Sequence, residues 1–281
     1  MQSIQEKNLK KISASILGCG WLGLALAEHL VSKHFTVYGS TTTESKLRQL
    51  KQKNIQPELI NLNPNLPSHI SKAFLNSELL IICFPPRIRT NGEEFYLNQV
   101  KSIAEELEIF EAKKIIFTSS TSIYPSLNKE VTEHDGAINH VFYKAEKILS
   151  DKAKVLGKDI NILRLSGLMG YGRIPCKYFS GKKGLENGDT PVNYIHRDDV
   201  VRIMGFLVLG NVWNETLNIT APMHPIRKEV MEKCTAKTIY EMPTYVNPKE
   251  KVPYKIIGSS KFERLVDYSF KYPNPLTFPF E

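Results

Sequence analysis

Three glycines in the order Gly-x-Gly-x-x-Gly stand between an apolar run and an apolar helical segment near the start of this chain. The run is 12–17, the glycines are Gly18, Gly20 and Gly23, and the helical segment is 21–32. Such glycines let the chain turn tightly, let a phosphate approach the backbone and let helix and strand pack closely. The start of the helix offers free N–H groups and partial positive charge to an anion. The pattern therefore predicts a β-α-β unit that binds a dinucleotide.

Strand-like and helix-like segments alternate from this loop onward. The segment 77–84 is almost continuously apolar, which is typical of a strand buried on both faces. Helices of this length between strands indicate right-handed crossovers and a parallel sheet. The predicted strands are 12–17, 36–38, 58–62, 77–84, 114–119, 161–165 and 215–219, and the predicted helices are 21–32, 44–53, 93–110, 141–156 and 198–209. We expect an α/β fold, a Rossmann-type doubly wound parallel sheet with a small C-terminal lobe.

The regular alternation ends after residue 165, where glycines and prolines become frequent. We expect residues 1–165, with about 193–221, to form the dinucleotide-binding domain. Residues 166–192 and 222–281 are expected to form a small substrate lobe. Such a lobe would lie over the carboxyl edge of the sheet, where ligands bind in folds of this class.

The end of the second strand bears on the choice of cofactor. An NAD site places Asp or Glu about 20 residues beyond the first glycine. Here the segment 40–42 is Ser-Thr-Thr, and Lys46 and Arg48 follow one turn later. Hydroxyls and a positive charge suit a 2′-phosphate, so we predict NADP in preference to NAD. Glu44 leaves NAD open, because its carboxylate could turn toward the ribose.

A tyrosine and a lysine four residues apart, Tyr143 and Lys147, lie in the predicted helix 141–156. The reference pKa of tyrosine is about 10, and a neighbouring positive charge lowers it toward the range of a useful base. Residues i and i+4 share one face of a helix. The alternative is an ordinary amphipathic helix with a partly buried tyrosine. The same spacing recurs at Tyr178/Lys182 and Tyr245/Lys249, but only Tyr143 shortly follows the hydroxyl-rich strand end 118–122.

Four segments together carry a family resemblance over most of the chain. Thr-Ser-Ser-Thr-Ser-Ile-Tyr-Pro at 118–125 resembles the active-site serine strand of extended short-chain dehydrogenases/reductases, including the NAD(P)-dependent epimerase/dehydratase family. The segment 164–173 resembles the part of that family that closes over nicotinamide and substrate. The segment 193–200 resembles its I-H-x-x-D motif, and 84–86 resembles its cofactor-contacting turn.

The resemblance implies an oxidoreductase or epimerase that transfers hydride to or from a small, sugar-nucleotide or phosphorylated substrate. Ser120 would hold the reacting oxygen, Tyr143 would move its proton, and Lys147 would lower the pKa of Tyr143 and hold the ribose. The candidates for contacts with an anionic substrate are Arg87, Arg173 and Asn193. The predicted cofactor-binding residues are Gly18, Gly20, Trp21, Leu22, Gly23, Ser40, Thr41, Thr42, Lys46, Leu62, Phe84, Pro85, Thr118, Ser119, Tyr143, Lys147 and Leu165.

Two departures from the family pattern narrow the prediction. The family's usual glycine loop is G-x-x-G-x-x-G, and the G-x-G-x-x-G found here resembles the YeeZ-like atypical subgroup. Sugar-nucleotide 4,6-dehydratases carry Asp-Glu immediately after the active-site threonine, where this chain has Thr121-Ser122. Without that acid pair the elimination of water lacks a proton donor, which argues against a dehydratase. The altered loop keeps an alternative open, a non-catalytic NADP-binding redox sensor or regulatory protein.

Composition argues against several other classes. The net charge of +8 lacks the continuous basic helix or interleaved aromatics of a nucleic-acid site, so we expect a small anionic ligand. The four cysteines include no C-x-x-C pair and the histidines no H-E-x-x-H, so we expect no metal site and no disulfide scaffold. No apolar run reaches membrane-spanning length. We therefore expect a cytoplasmic protein with incidental reduced thiols, and a homodimer formed through helices 93–110 and 141–156.

Overall fold

The computed structural model describes residues 12–280, so residues 1–11 and residue 281 of the predicted domains lie outside the described residues. The strands are β1 (Ser13–Leu17), β2 (Thr36–Thr41), β3 (Gln56–Leu59), β4 (Leu79–Ile82), β5 (Lys114–Ser120), β6 (Glu130–Val131), β7 (Asp159–Leu165), β8 (Gly167–Met169), β9 (Tyr194–His196), β10 (Thr216–Ile219) and β11 (Ile256–Ile257). The α-helices are α1 (Trp21–Ser32), α2 (Glu44–Gln52), α3 (Lys72–Leu75), α4 (Ile88–Asn91), α5 (Glu93–Glu105), α6 (Val141–Val155), α7 (Pro175–Phe179), α8 (Arg197–Leu209), α9 (Arg227–Thr235) and α10 (Ser260–Leu265).

Seven of these strands form one parallel sheet in the order β10-β7-β5-β4-β1-β2-β3. The order reverses between β1 and β4, and ligands bind at such a reversal in doubly wound folds. All four residues of β4 are buried, as expected for a central strand covered on both faces. The Rossmann-type fold predicted from the alternating segments is therefore confirmed. The predicted helix 93–110 is shorter, because a 3₁₀ turn (Glu106–Ile109) replaces its last turn.

Each face of the sheet is covered by a pair of helices. Helices α1 and α8 pack together on one face, and α5 and α6 on the other. The apolar stripe predicted for helix 93–110 is buried inside the protein. Val100 and Ile103 of α5, and Leu107 of the 3₁₀ turn that follows it, are fully buried against the sheet. The residues that motivated a two-fold helical interface thus already cover the sheet. Pairing of two chains through these helices stays a prediction.

A third apolar cluster forms the core of the smaller lobe, between α7, α9 and the last residues described. Cys176 of α7 and Cys234 of α9 form a disulfide inside it, with their Cα atoms 5.9 Å apart. The expectation of incidental thiols is therefore wrong for this pair, because a separation of 58 residues gave no local signal. Cys19 and Cys83 are free and buried. The segment around α10 returns to the sheet, where Phe262 joins the core beneath α1 and α8. The division into a dinucleotide-binding domain and a lobe at 166–192 and 222–281 stays a prediction.

A buried ion pair connects α6 to β7 beneath the carboxyl edge of the sheet. The Arg164 guanidinium donates to both carboxylate oxygens of Glu146, with Nη2 2.7 Å from Oε2. Both side chains are almost fully buried. Ser119 donates its hydroxyl to the same carboxylate at 2.5 Å, and Arg164 also donates to the Tyr124 hydroxyl at 2.8 Å. The network fixes the end of β5 against α6.

The Glu146→Ala substitution should lower the free energy of unfolding by about 3–5 kcal/mol, because it leaves a buried guanidinium without its counter-charge. Lys147 is the matched control on the same helix, since its pair with Asp151 is exposed and screened by solvent, so its loss should leave the free energy of unfolding almost unchanged. Urea denaturation of the two alanine variants would measure both values. A loss below about 1 kcal/mol for Glu146→Ala would contradict the assignment of this network as the support of the sheet edge.

Candidate functional site

The glycine loop has the geometry of a phosphate cradle at the start of α1. A Cβ on Gly23 would lie 2.2 Å from the Gly18 carbonyl oxygen, so only glycine allows this approach of helix to strand. Gly18 has φ +110°, a conformation that L side chains rarely adopt. A Cβ on Gly20 would meet no atom within 4 Å, so the backbone there faces open space. No described side chain caps the helix, and its first turn contains no acidic residue. The loop therefore fits a pyrophosphate group.

Two cavities meet at this loop and share Gly20, Phe84 and Pro85. The β2-side cavity has a volume of about 340 Å³ and the lobe-side cavity about 780 Å³. The predicted cofactor residues in the β2-side cavity are Gly18, Gly20, Ser40, Thr41, Thr42, Lys46, Leu62, Phe84 and Pro85. Those in the lobe-side cavity are Gly20, Trp21, Leu22, Phe84, Pro85, Thr118, Ser119 and Leu165. Together the cavities form one cleft along the carboxyl edge of the sheet.

The charged residues lining the β2-side cavity are both basic. Lys46 and Arg87 line it, and no aspartate or glutamate does. Arg87, predicted to contact substrate, therefore lies on the cofactor side of the cleft. Glu44, the residue that left NAD open, is exposed and does not line the cavity. The Ser40 hydroxyl accepts the Gly18 backbone N–H at 2.9 Å, which holds the glycine loop against the end of β2.

Ser120 stands at the end of β5 in the lobe-side cavity. Its Oγ accepts the Ser122 backbone N–H at 3.1 Å, which leaves the hydroxyl hydrogen free to donate into the cavity. The neighbouring Ser119 hydroxyl, in contrast, is committed to the buried carboxylate of Glu146. Of these two serines, Ser120 has the geometry of a donor to a ligand oxygen.

Helix α6, which carries Tyr143 and Lys147, borders the cavity that contains Ser120. Helix α6 contributes Phe142 to the cavity lining, and neither Tyr143 nor Lys147 is part of that lining. Lys147 is about two-thirds exposed and donates to Asp151 at 2.8 Å. The reason is the rotation of the helix, which turns Phe142 and Glu146 inward and places the tyrosine and lysine one position further round. The Y-x-x-x-K spacing is present on α6, and the set of Ser120, Tyr143 and Lys147 stays a prediction.

The turn 170–173 on the lobe side contacts the glycine loop. Two guanidinium groups contact the indole of Trp21, those of Arg173 at 4.1 Å and Arg197 at 5.0 Å from the ring centroid. Gly170 and Arg173 exchange both backbone hydrogen bonds, and the tight turn between them puts Arg173 over the loop. Tyr171 in this turn donates to Asp198 at 2.8 Å. Arg173, predicted to contact substrate, thus lies at the mouth of the lobe-side cavity beside the phosphate cradle.

Sequence reasoning missed two basic residues of the lobe-side cavity, Arg227 and Lys255. None of the ion pairs among the described residues includes either of them. The Arg227 Nε is buried without a partner, and its Nη1 lies 3.5 Å from the Tyr194 hydroxyl. Both residues follow irregular segments of the lobe, so no periodic pattern points to them.

Three further polar residues in or near the cavity make hydrogen bonds within the protein. Asn193, predicted to contact substrate, lines the cavity, but its amide accepts the Ile257 N–H and donates to the Lys255 carbonyl. His196 is buried and caps the start of α8 with its Nδ1, as expected of a structural histidine. Asp199 is fully buried and accepts two backbone N–H groups and the Tyr268 hydroxyl, so it fastens the C-terminal segment.

Residues 12–280 contain neither a candidate metal cluster nor a membrane-spanning helix. No group of three or more His, Cys, Asp or Glu side chains in that range could hold a metal ion. No helix in it has the length and apolar character needed to cross a bilayer.

Two solved structures share the whole fold of this chain at low sequence identity. UDP-glucuronic acid 4-epimerase from Bacillus cereus, in complex with NAD, superposes with a TM-score of 0.75 at 14% identity, over 94% of this chain and 93% of the other. UDP-glucose 4-epimerase from Thermotoga maritima, with UDP-glucose, superposes with a TM-score of 0.67 at 17% identity, over 90% and 91%. These likenesses show a common fold.

A curated relative is closer in sequence. Protein YeeZ of Escherichia coli (strain K12) is 32% identical over 280 residues, which cover 97% of this chain and all of that protein. No model of a protein family matches the chain. The chain therefore belongs to the family of protein YeeZ, the subgroup that its glycine loop resembles.

Proposed function

We propose that this protein is an NADP-dependent oxidoreductase or epimerase that acts on a small anionic substrate, a sugar nucleotide or another phosphorylated compound. The observation that carries the proposal is the single cleft made by the two cavities, with the phosphate cradle in its middle and Ser120 in its lobe-side half. A dinucleotide spanning the cradle would lay its nicotinamide end in the cavity that contains the serine hydroxyl. When bound, this cofactor would give a hydride to, or take one from, a substrate carbon.

The charges of the β2-side cavity favour NADP. NAD and NADP differ by a 2′-phosphate on the adenosine ribose, and an NAD site needs a carboxylate at the end of β2. The cavity has Lys46, Arg87 and the hydroxyls of 40–42 there, and no carboxylate among its lining residues. The epimerase from Bacillus cereus contains NAD, so the preference rests on the residues of this chain alone.

The Lys46→Ala substitution should weaken NADPH binding about tenfold and leave NADH binding unchanged, because one charged contact is worth about 1.5–3 kcal/mol. Arg48→Ala is the matched control, since Arg48 lies on the same helix outside the cavity. Fluorescence titration of wild type and both variants with each nucleotide would measure the affinities. Tighter binding of NADH than NADPH by the wild type would contradict the preference for NADP.

Arg227 and Arg173 support an anionic substrate. A buried guanidinium nitrogen without a partner is costly to leave unsatisfied, and Arg227 presents one beside the lobe-side cavity. Arginine binds phosphate and carboxylate through two parallel hydrogen bonds. The similar structure from Thermotoga maritima was solved with UDP-glucose, which carries two phosphates. A phosphorylated or sugar-nucleotide substrate would therefore place its anionic group toward Arg227.

The Arg227→Ala substitution should weaken the binding of UDP-glucose to the NADPH-loaded protein at least about tenfold, through the loss of a charged contact. Isothermal titration with UDP-glucose, and with glucose 6-phosphate as the smaller phosphorylated alternative, would measure this. Lys228→Ala, next to it on the exposed side of α9, is the control. If neither compound binds the wild type, or if Arg227→Ala binds as tightly, the assignment of Arg227 is contradicted.

One observation favours a second candidate, a non-catalytic NADP sensor. Phe142 is the residue of α6 in the cavity lining, and Lys147 on the same helix is exposed and pairs with Asp151. A sensor should bind NADPH and NADP⁺ with different affinities and change the exposure of the lobe without turnover. An enzyme should oxidise bound NADPH when a suitable carbonyl compound is added, and Ser120→Ala should slow this oxidation while NADPH affinity is kept. Absorbance at the reduced-nicotinamide band separates the two.

A further inference from the structure

Three cations line the lobe-side cavity, and no aspartate or glutamate of the described chain lines it with them. They are Arg173, Arg227 and Lys255. None of the ion pairs found in residues 12–280 includes any of the three. Arg173 is exposed at the mouth beside the phosphate cradle, whereas Arg227 and Lys255 are half-buried. The cavity therefore offers a substrate two half-buried positive charges that have no ion-pair partner in the described part of the chain.

Both of these cations are fastened to one short segment, 190–194, whose last four residues line the cavity. The backbone N–H of Arg227 donates to the Thr190 carbonyl oxygen at 2.9 Å. The side-chain amide of Asn193 donates to the Lys255 carbonyl oxygen at 2.9 Å. Because the same stretch of cavity wall holds the backbone of each residue, the two charges keep a fixed position relative to each other.

The ammonium group of Lys255 lies at the strand end that carries Ser120. Its Nζ donates to the Tyr124 carbonyl oxygen at 2.5 Å, and Tyr124 follows the 3₁₀ turn that begins directly after Ser120. An ammonium has three N–H donors, and this is the hydrogen bond found for it within residues 12–280, so two donors remain for a ligand. A carboxylate bound to them would bring its neighbouring carbon toward the Ser120 hydroxyl.

The surroundings of Arg227 suit a phosphate instead. Its Nη1 lies 3.5 Å from the Tyr194 hydroxyl, and its Nε is buried without a partner. The guanidinium carbon lies 5.2 Å from the centroid of the Phe179 ring, an aromatic contact that limits its movement. A planar guanidinium can bind two phosphate oxygens at once, whereas an ammonium acts as a point charge. The two cations therefore fit two different anionic groups.

We propose that the lobe-side cavity binds a phosphorylated hydroxy acid, a compound with a phosphate at one end and a carboxylate next to a hydroxyl at the other. Arg227 binds the phosphate, Lys255 binds the carboxylate, and Ser120 donates a hydrogen bond to the oxygen on the carbon next to the carboxylate. The inference rests on the proposed function. It narrows the substrate from phosphorylated compounds in general to those with a second anionic group.

Three linear ligands that differ by one group at a time test this substrate class. 6-Phosphogluconate carries both anionic groups, glucitol 6-phosphate has a hydroxymethyl group in place of the carboxylate, and gluconate lacks the phosphate. Isothermal titration of the NADPH-loaded, full-length protein would measure the affinity for each. We expect 6-phosphogluconate to bind about tenfold or more tightly than either of the others, because each of them loses one charged contact.

Two variants assign each anionic group to its cation. Lys255→Met should remove the preference for 6-phosphogluconate over glucitol 6-phosphate and keep the preference over gluconate. Arg227→Ala should do the reverse. Lys251→Met is the control, since Lys251 is exposed on the same segment and its loss changes the net charge equally. Circular dichroism checks that each variant is folded, and Lys255→Arg, which keeps the charge, should retain the preference for the carboxylate.

Titration of the wild type with NADPH distinguishes this inference from the proposed function. If NADPH binds but 6-phosphogluconate binds no more tightly than glucitol 6-phosphate, or none of the three ligands binds, the substrate class is overturned and the proposed function stands. A folded Lys255→Met variant that keeps the full preference for the carboxylate would also overturn the assignment. If NADPH does not bind, the proposed function fails, whichever of the three ligands binds.

Discussion

The contact between Gly23 and the carbonyl of Gly18 is the constraint on which the ligand cleft depends. With no side chain between them, α1 begins directly over the end of β1, and its unpaired N–H groups point across the carboxyl edge of the sheet. Larger residues at Gly23 would push the helix away and move those groups out of line. The two cavities meet at this place because Gly20 leaves the backbone open there. The phosphate cradle is therefore a consequence of close packing rather than of any charged side chain.

The lobe completes the cleft from the other side, and it is tied to the sheet domain by specific polar contacts. Arg173 and Arg197 both contact the Trp21 indole, and Asn193 donates to the Lys255 carbonyl just before β11. Beneath these contacts the Glu146–Arg164 pair fixes the end of β5. A ligand in the lobe-side cavity would thus meet groups from both parts of the molecule at once.

Much of the fold could be predicted from the sequence, because its signals are local. Helix α1 begins and ends at the predicted residues, and the buried strand β4 lies within the predicted apolar run. The β2-side cavity was also predictable, since the glycines and the hydroxyls that follow β2 are close to each other in sequence. The lobe-side cavity was not predictable in the same way. Arg227, Lys255 and the Cys176–Cys234 disulfide depend on contacts between distant segments that carry no periodic pattern.

The orientation of α6 shows a different limit of prediction from the sequence. The Y-x-x-x-K spacing correctly indicated two residues on one helical face, but not which face turns toward the cavity. Phe142 and Glu146 face inward because the buried carboxylate pairs with Arg164, a residue on another strand. The Glu146–Arg164 pair could have been suspected only from the rule that a buried arginine in a strand needs a counter-charge from another element. A spacing motif can therefore identify a catalytic pair only when the contacts of the neighbouring residues are also known, because those contacts set the orientation of the helix.

Hydrogen–deuterium exchange with and without NADPH tests the central claim most directly, because it reports where the nucleotide protects the backbone. If the glycine loop cradles the pyrophosphate, the amides of residues 18–24 and those around 40–46 should exchange more slowly in the bound protein. Protection confined to other parts of the chain, or unchanged exchange at the loop under saturating NADPH, would contradict the account.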